Sequence, residues 1–516
     1  MHEHPFSSRR WLATVVVAVV LATACTKDDI VFRDVEPFNS PPDAASGFLG
    51  YYLTVEKQTT CGNCHADKQA EWAETAHADA WAGLQSSDFA AESCEGCHTV
   101  NELGNALAEP AGFKLVADSA YHDVQCESCH GPGVNHVSDP TFTRPLASIA
   151  VGEAATNGCG ECHSDAHHPF VEQWAESRHG NTTSFAKGRS PCNECHEGTK
   201  ALESQFGVSA DYLEKGTGVL LDITCAVCHD PHGGPNPGQL RAPISVAAKN
   251  NLCIKCHSTT TVPTATTHGP HGAQGPLVLG ENIGWWAPGF EWLDGLTGAH
   301  GDPAVNPGLC ATCHVASFAV TQPEFFQSVG HSFEAIPCLD ANGIPEPGPC
   351  TNDERTFSAC ASCHGTEANS QAVYEAFTDE LNVLLGQIWF DSNGDDHLDA
   401  APTDAGVLAQ IVAAVGPKEL DVSDTLFTFA EGVLWNAQLA ATDDTPHFRE
   451  AFIVVAANDT VEFGAHPTSG NGVHNPPFLE ALLKASITAA ADHYGIVLPA
   501  GVDLTIAAQP LQGTRD

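Results

Sequence analysis

Nine times along this chain of 516 residues, two cysteines stand three positions apart with a histidine directly behind the second. The cysteine pairs are Cys61 and Cys64, Cys94 and Cys97, Cys126 and Cys129, Cys159 and Cys162, Cys192 and Cys195, Cys225 and Cys228, Cys253 and Cys256, Cys310 and Cys313, and Cys360 and Cys363. The histidines that follow are His65, His98, His130, His163, His196, His229, His257, His314 and His364. Multiplied over the chain's length, its own Cys and His frequencies give roughly 0.04 such pentapeptides by chance. The chemistry that needs this spacing is covalent attachment of a porphyrin. Two thiols add to the vinyl groups on one edge of the ring, and the adjacent imidazole turns beneath it to ligate iron. Zinc sites do not demand a His after every second Cys, a redox dithiol comes as a single motif, and a disulfide scaffold does not repeat one spacing. The pattern predicts nine covalently bound haem c groups.

The remaining composition says what must hold such groups. With 46 Gly, 33 Pro and 16% charged residues, the chain reads as mainly α with a large loop content and little β, its core filled by stacked haems. Met1 is the only Met, so a sixth iron ligand from a side chain is expected to be one of the 27 His. Of 21 Cys, three lie outside the motifs. Cys338 and Cys350 bracket a Gly/Pro-rich loop, and a disulfide between them suits an oxidising compartment. Cys25 follows Leu21-Ala22-Thr23-Ala24, behind a basic start at Arg9 and Arg10 and an apolar run too short to span a bilayer. Residues 1–24 therefore read as an export signal, Cys25 as a lipid-anchor site on the outer membrane, and 25–55 as a tether; cleavage nearby with a soluble periplasmic product is the alternative.

The first seven motifs begin 28 to 33 residues apart and the last two are spaced more widely. This predicts three trihaem units over 56–150, 151–245 and 246–365. Residues 366–516 carry no motif and show helical periodicity over Val373–Trp389, Val407–Val415 and Pro477–Ala491. Between two of these stretches Asp391, Asn393 and Asp395 alternate like the start of an EF-hand loop, which suggests Ca2+; the twelfth position is Pro402, and an acidic surface turn is the bland reading.

Glu71-Trp72-Ala73-Glu74-Thr75-Ala76-His77 and Gln173-Trp174-Ala175-Glu176-Ser177-Arg178-His179 match one another, and each reads as a short helix presenting Trp to a porphyrin face and His to an iron. Together with Cys126-Glu127-Ser128-Cys129-His130-Gly131-Pro132-Gly133 they resemble the multihaem cytochrome c superfamily, nearest the tetrahaem cytochromes that accept electrons from hydroxylamine oxidoreductase. The resemblance covers residues 61–232 as two tandem copies. Gly472-Val473-His474-Asn475-Pro476 is similar to a segment near the end of many multihaem cytochromes and reductases. The resemblance implies that His77, His136, His179, His232 and His474 are distal iron ligands. His268, His271, His300 and His331 complete nine candidates by position alone, each against the alternative of a surface His; His122, His167, His168 and His466 are spares.

The reading that follows is an electron carrier serving periplasmic or extracellular respiration, with a quinol dehydrogenase or other cytochromes as redox partners. A formal charge of -43 argues against nucleic acid as a partner. Two rivals stand beside it. One is a multihaem oxidoreductase with an open site for nitrite, tetrathionate or hydroxylamine chemistry, disfavoured by the lack of a Cys-x-x-Cys-Lys motif and by 21 Lys and Arg against 64 acids. The other is the protomer of a homopolymeric cytochrome filament.

Overall fold

A computed structural model describes residues 38–506 apart from 89, 152–156, 165–168, 265, 268, 293–296, 321–326, 422–425, 456–460, 468–471 and 499–500. The expected signal, Cys25, His167, His168 and His268 lie outside the described residues. Within them, helix and irregular chain predominate. Strands come as three antiparallel pairs: β1 Tyr51–Leu53 with β2 Gln58–Thr59, β3 Phe318–Ala319 with β4 Gln327–Ser328, and β5 Glu450–Val455 with β6 Val461–Pro467.

At least five of the pentapeptides close on themselves. The motif histidine's amide donates to the carbonyl of the first cysteine at Cys61, Cys159, Cys192, Cys225 and Cys253, over 2.9 to 3.1 Å. One helical turn of this kind brings residues one, four and five to the same side, which is what a shared porphyrin edge requires.

The internal duplication is visible in hydrogen bonds. Helix α1, Ala66–Ala73, and helix α2, Phe170–Glu176, each carry the Trp of the repeated stretch. Trp72 Nε1 donates to Val124 O at 2.8 Å and Trp174 Nε1 to Ile223 O at 2.7 Å. The hydroxyls of Thr75 and Ser177 return to the carbonyls of those tryptophans. The amides of Val124 and Ile223 reach His77 O and His179 O at 3.1 and 3.0 Å. The indole thus fixes the loop that presents each histidine.

The tether ends earlier than expected. From Asp43 onward the chain belongs to the first unit: Phe48 is fully buried, and the buried Glu127 carboxylate accepts the amides of Leu49, Gly50 and Gly133. Burial pushes Glu127 up to about 7 despite those donors.

The last third is built differently. Helices α3 Glu367–Ile388, α4 Val407–Val415, α5 Phe429–Ala440 and α6 Pro476–Tyr494 enclose an aliphatic and aromatic core that includes Leu385, Trp435, Phe478 and Leu482. This motif-free helical region thus carries an apolar core of its own. Helix α5 is buried on every side, so it has no polar face and no amphipathic period to betray it.

Candidate functional site

Eight motif histidines each face a second imidazole. His65 faces His136, His130 faces His232, His163 faces His77, His196 faces His271, His229 faces His331, His257 faces His179, His314 faces His474, and His364 faces His300. Ring centroids lie between 5.8 and 6.4 Å apart. A metal–nitrogen bond of about 2 Å, with about 1 Å more from nitrogen to ring centre, puts two imidazoles on opposite sides of one metal about 6 Å apart. The spacing therefore fits a six-coordinate iron between each pair.

The second ring nitrogen is occupied elsewhere. The Nδ1–H groups of His130, His229 and His314 donate to the carbonyls of Pro145, Gly238 and Phe333 at 2.8, 2.6 and 2.8 Å. Those of His136, His300 and His331 donate to Thr143, Val473 and Val329 at 2.6, 2.6 and 3.0 Å. Such bonds fix the tautomer and leave Nε2 with its lone pair for a metal. Burial reinforces this by disfavouring the protonated ring: it lowers the pKa of His77, His130, His229, His257 and His331, and holds His179 down to about 3.

The pairing crosses the expected unit boundaries. His77 of the first unit meets His163 of the second, and His232 of the second meets His130 of the first. The same exchange joins the second and third units through His179 with His257 and His331 with His229. His474 brings the last third onto His314. The units at 56–150, 151–245 and 246–365 are therefore interlocked rather than self-contained, because each lends its neighbour an imidazole.

Numbering the motifs 1 to 9 in chain order, the thiols give their adjacency. Cys61 interacts directly with Cys126, Cys97 with Cys162, Cys159 with Cys225, Cys195 with Cys256, and Cys253 with Cys310. Cys129 lies within electrostatic range of Cys159, Cys228 of Cys253, and Cys313 of Cys360. Among the described residues these interactions link the motifs in the order 1–3–4–6–7–8–9, with motif 2 linked to 4 and motif 5 to 7.

Nine distal candidates were expected for nine irons, and the described residues pair eight. His98, of motif 2, donates through Nδ1 to Ala80 O at 2.8 Å and faces no second imidazole among them. The spare His122 instead stacks on Trp81, 4.0 Å away at 13°. The side chain of His466 lies outside the described residues. Cys338 and Cys350 form a disulfide. In the loop at Asp391, the carboxylate accepts the amides of Gly394 and Asp396, and Asn393 donates to Asp395 and Asp399. These are the bonds of an acidic turn. Among the described residues no group of three or more His, Cys, Asp or Glu side chains is arranged to hold a metal ion directly, and no helix is long and apolar enough to cross a membrane.

Two family models match the chain: the doubled CXXCH motif over residues 220–262, and cytochrome c554 and c-prime over residues 60–131. The chain is 27% identical over 200 residues to the multihaem cytochrome MtrA of Shewanella baltica, covering 35% of this chain and 56% of that protein. It is 25% identical over 244 residues to the C-type polyhaem cytochrome OmcC of Geobacter sulfurreducens, covering 35% and 31%. To OmcB of the same species it is 26% identical over 197 residues, covering 32% and 25%. The match thus spans just over half of the first relative and a third or less of the others. No solved structure matches. The two family models fall on motifs 1 to 3 and on motifs 6 and 7, where attachment turns and facing imidazoles repeat, and the chain is a multihaem cytochrome c.

Proposed function

We propose that the chain binds nine haem c groups, eight of them between the imidazole pairs described above, and relays electrons between redox proteins of the cell envelope. The observation that carries this reading is the facing of eight motif histidines by a second histidine, which suits low-spin iron held for electron transfer. Bound haem would supply the one-electron chemistry; the polypeptide supplies two facing imidazoles at eight of the nine motifs and, where Nδ1–H is bonded to a carbonyl, a fixed tautomer. The thiol contacts support a main route along sites 1, 3, 4, 6, 7, 8 and 9. Export and a lipid on Cys25 complete the reading, with a quinol dehydrogenase or another cytochrome as partner. Intact mass should show nine haem increments. Cys25→Ser should release the protein from membranes; wild type recovered wholly soluble and unmodified would remove the anchor.

A second reading is favoured by one observation, the imidazole of His98 without a facing partner among the described residues. Site 2 is also a branch, so an open iron there would do chemistry beside the main line and not interrupt it. Low-temperature electron paramagnetic resonance of the oxidised protein decides between them. A high-spin signal whose line shape changes in His98→Ala supports an open, substrate-accessible iron at site 2; low-spin signals from every iron support a relay alone.

A further inference from the structure

Sites 3 and 6 are copies of one another. Each is the third motif of its unit, and each is faced by a histidine from the following unit, His232 at 6.2 Å and 23°, His331 at 6.4 Å and 19°. Their motif histidines are held alike, His130 by the Pro145 carbonyl and His229 by the Gly238 carbonyl. They differ behind the facing ring. The Nδ1–H of His331 donates to the neutral Val329 carbonyl at 3.0 Å, whereas that of His232 donates to Asp230 Oδ1 at 3.2 Å.

That carboxylate is held in place. Asp230 Oδ1 also accepts the His232 amide at 3.1 Å, and Oδ2 accepts Arg241 Nη1 at 2.9 Å. The guanidinium is itself fixed through Nε to Ala226 O at 2.7 Å. Among the axial rings whose Nδ1 partner has been named, His232 alone faces an acid; the others use carbonyls or, for His257, the Gln274 amide oxygen at 3.3 Å. A carboxylate draws the Nδ1 proton toward itself and leaves the ring more anionic, so Nε2 becomes a stronger donor and stabilises ferric over ferrous iron.

We propose that Asp230, acting through His232, holds the iron of site 3 at a lower potential than that of its copy, site 6, so that the main line has a built-in step between sites 3 and 6. Asp230 is a positioning and tuning residue, and the inference rests on the ligation proposed above. Because Asp230 adjoins His229, its charge reaches site 6 as well; only the hydrogen bond distinguishes the two sites.

The experiment uses the full holoprotein and a redox titration followed by electron paramagnetic resonance. His232→Ala and His331→Ala first identify which low-spin signals belong to sites 3 and 6; if His232→Ala removes none, the ligation of site 3 fails, and this inference with it. Asp230→Asn keeps an acceptor for the ring and for the His232 amide but removes the charge. The expected result is a shift in the g values of the site 3 signal, with those of site 6 unchanged. At a fixed potential the reduced-to-oxidised ratio of site 3 should rise about tenfold, which is about 59 mV for one electron. Asp230→Glu should move both readouts back toward wild type, with nine haem increments in every variant. Unchanged site 3 g values in Asp230→Asn would overturn the inference even if its midpoint moved, since that pattern is through-space charge alone.

Discussion

The haem-bearing stretch and the last third of the chain solve the problem of an interior in opposite ways. Among the described residues between 48 and 227 the buried apolar side chains form small separate groups, such as Phe48 with Val100 and Tyr121, or Ala201 with Leu202 and Val227. What lies between them are imidazole pairs and thiols. Helices α3 to α6 instead share one continuous core, onto which the preceding Trp-rich stretch also packs. The two are joined by Asn436, which accepts the Trp285 amide at 2.8 Å and donates back to Trp285 O at 2.7 Å. A single loop then serves the last two sites, since His474 faces His314 while Val473 O orients His300 against His364. One region has only small apolar groups of its own; the other has a continuous core and lends an imidazole that faces His314.

The largest effect should come from withholding haem. In a host that cannot attach it, amide hydrogen exchange should show lost protection over residues 60–365 and retained protection in α3, α5 and α6. Uniform loss, or uniform retention, would erase the contrast. The reverse perturbation is Leu482→Ala. Leu482 is fully buried in α6, so truncation should cost about 2–5 kcal/mol. Denaturant melting should register that loss while intact mass still shows nine haem increments, because attachment needs only the cysteine pairs.

How much of this was legible in the sequence follows the same division. The attachment motifs are local, fixed by five consecutive residues, and stand open in the sequence. The rings that face the motif histidines all stand among those singled out from the sequence, through the Trp-anchored stretches, the Gly-Pro turns or position. Which ring faces which was not readable. His77 stands 12 residues after His65 but faces His163, and only the folded path of the chain decides that. Asp230 escaped notice because an acid beside a motif is unremarkable until Arg241 and His232 converge on it. In the last third, α3, α4 and α6 have readable apolar periods. Helix α5 does not, because Asn436 and Gln438 interrupt the pattern and are themselves buried.

An intermediate effect is expected where the two regions meet. The disulfide between Cys338 and Cys350 closes a short loop just before motif 9. Cys338→Ser should lower stability by about 2–4 kcal/mol through the freed denatured chain. The loss should appear under oxidising conditions only, since reductant abolishes the same bond in wild type. A loss that persists in reductant would mean the Cys338 side chain matters for packing instead.

The smallest effect sharpens the comparison within the haem-bearing stretch, where the two tandem copies are expected to respond alike. Trp72→Phe and Trp174→Phe each keep the aromatic ring and delete one indole donor, leaving Val124 O or Ile223 O without its partner. A lost bond to a buried carbonyl costs about 1–2 kcal/mol. In each case the backbone bond next to it, Val124 N to His77 O or Ile223 N to His179 O, loses its support. Hydrogen exchange at those two amides should therefore quicken by about tenfold, the equivalent of about 1.4 kcal/mol in local opening. The high-spin fraction should rise at site 4 in Trp72→Phe and at site 7 in Trp174→Phe, since those are the sites that His77 and His179 face. A change confined to the first copy would mean that interlocking with the third unit, through His179 and His331, already holds the second copy without its indole.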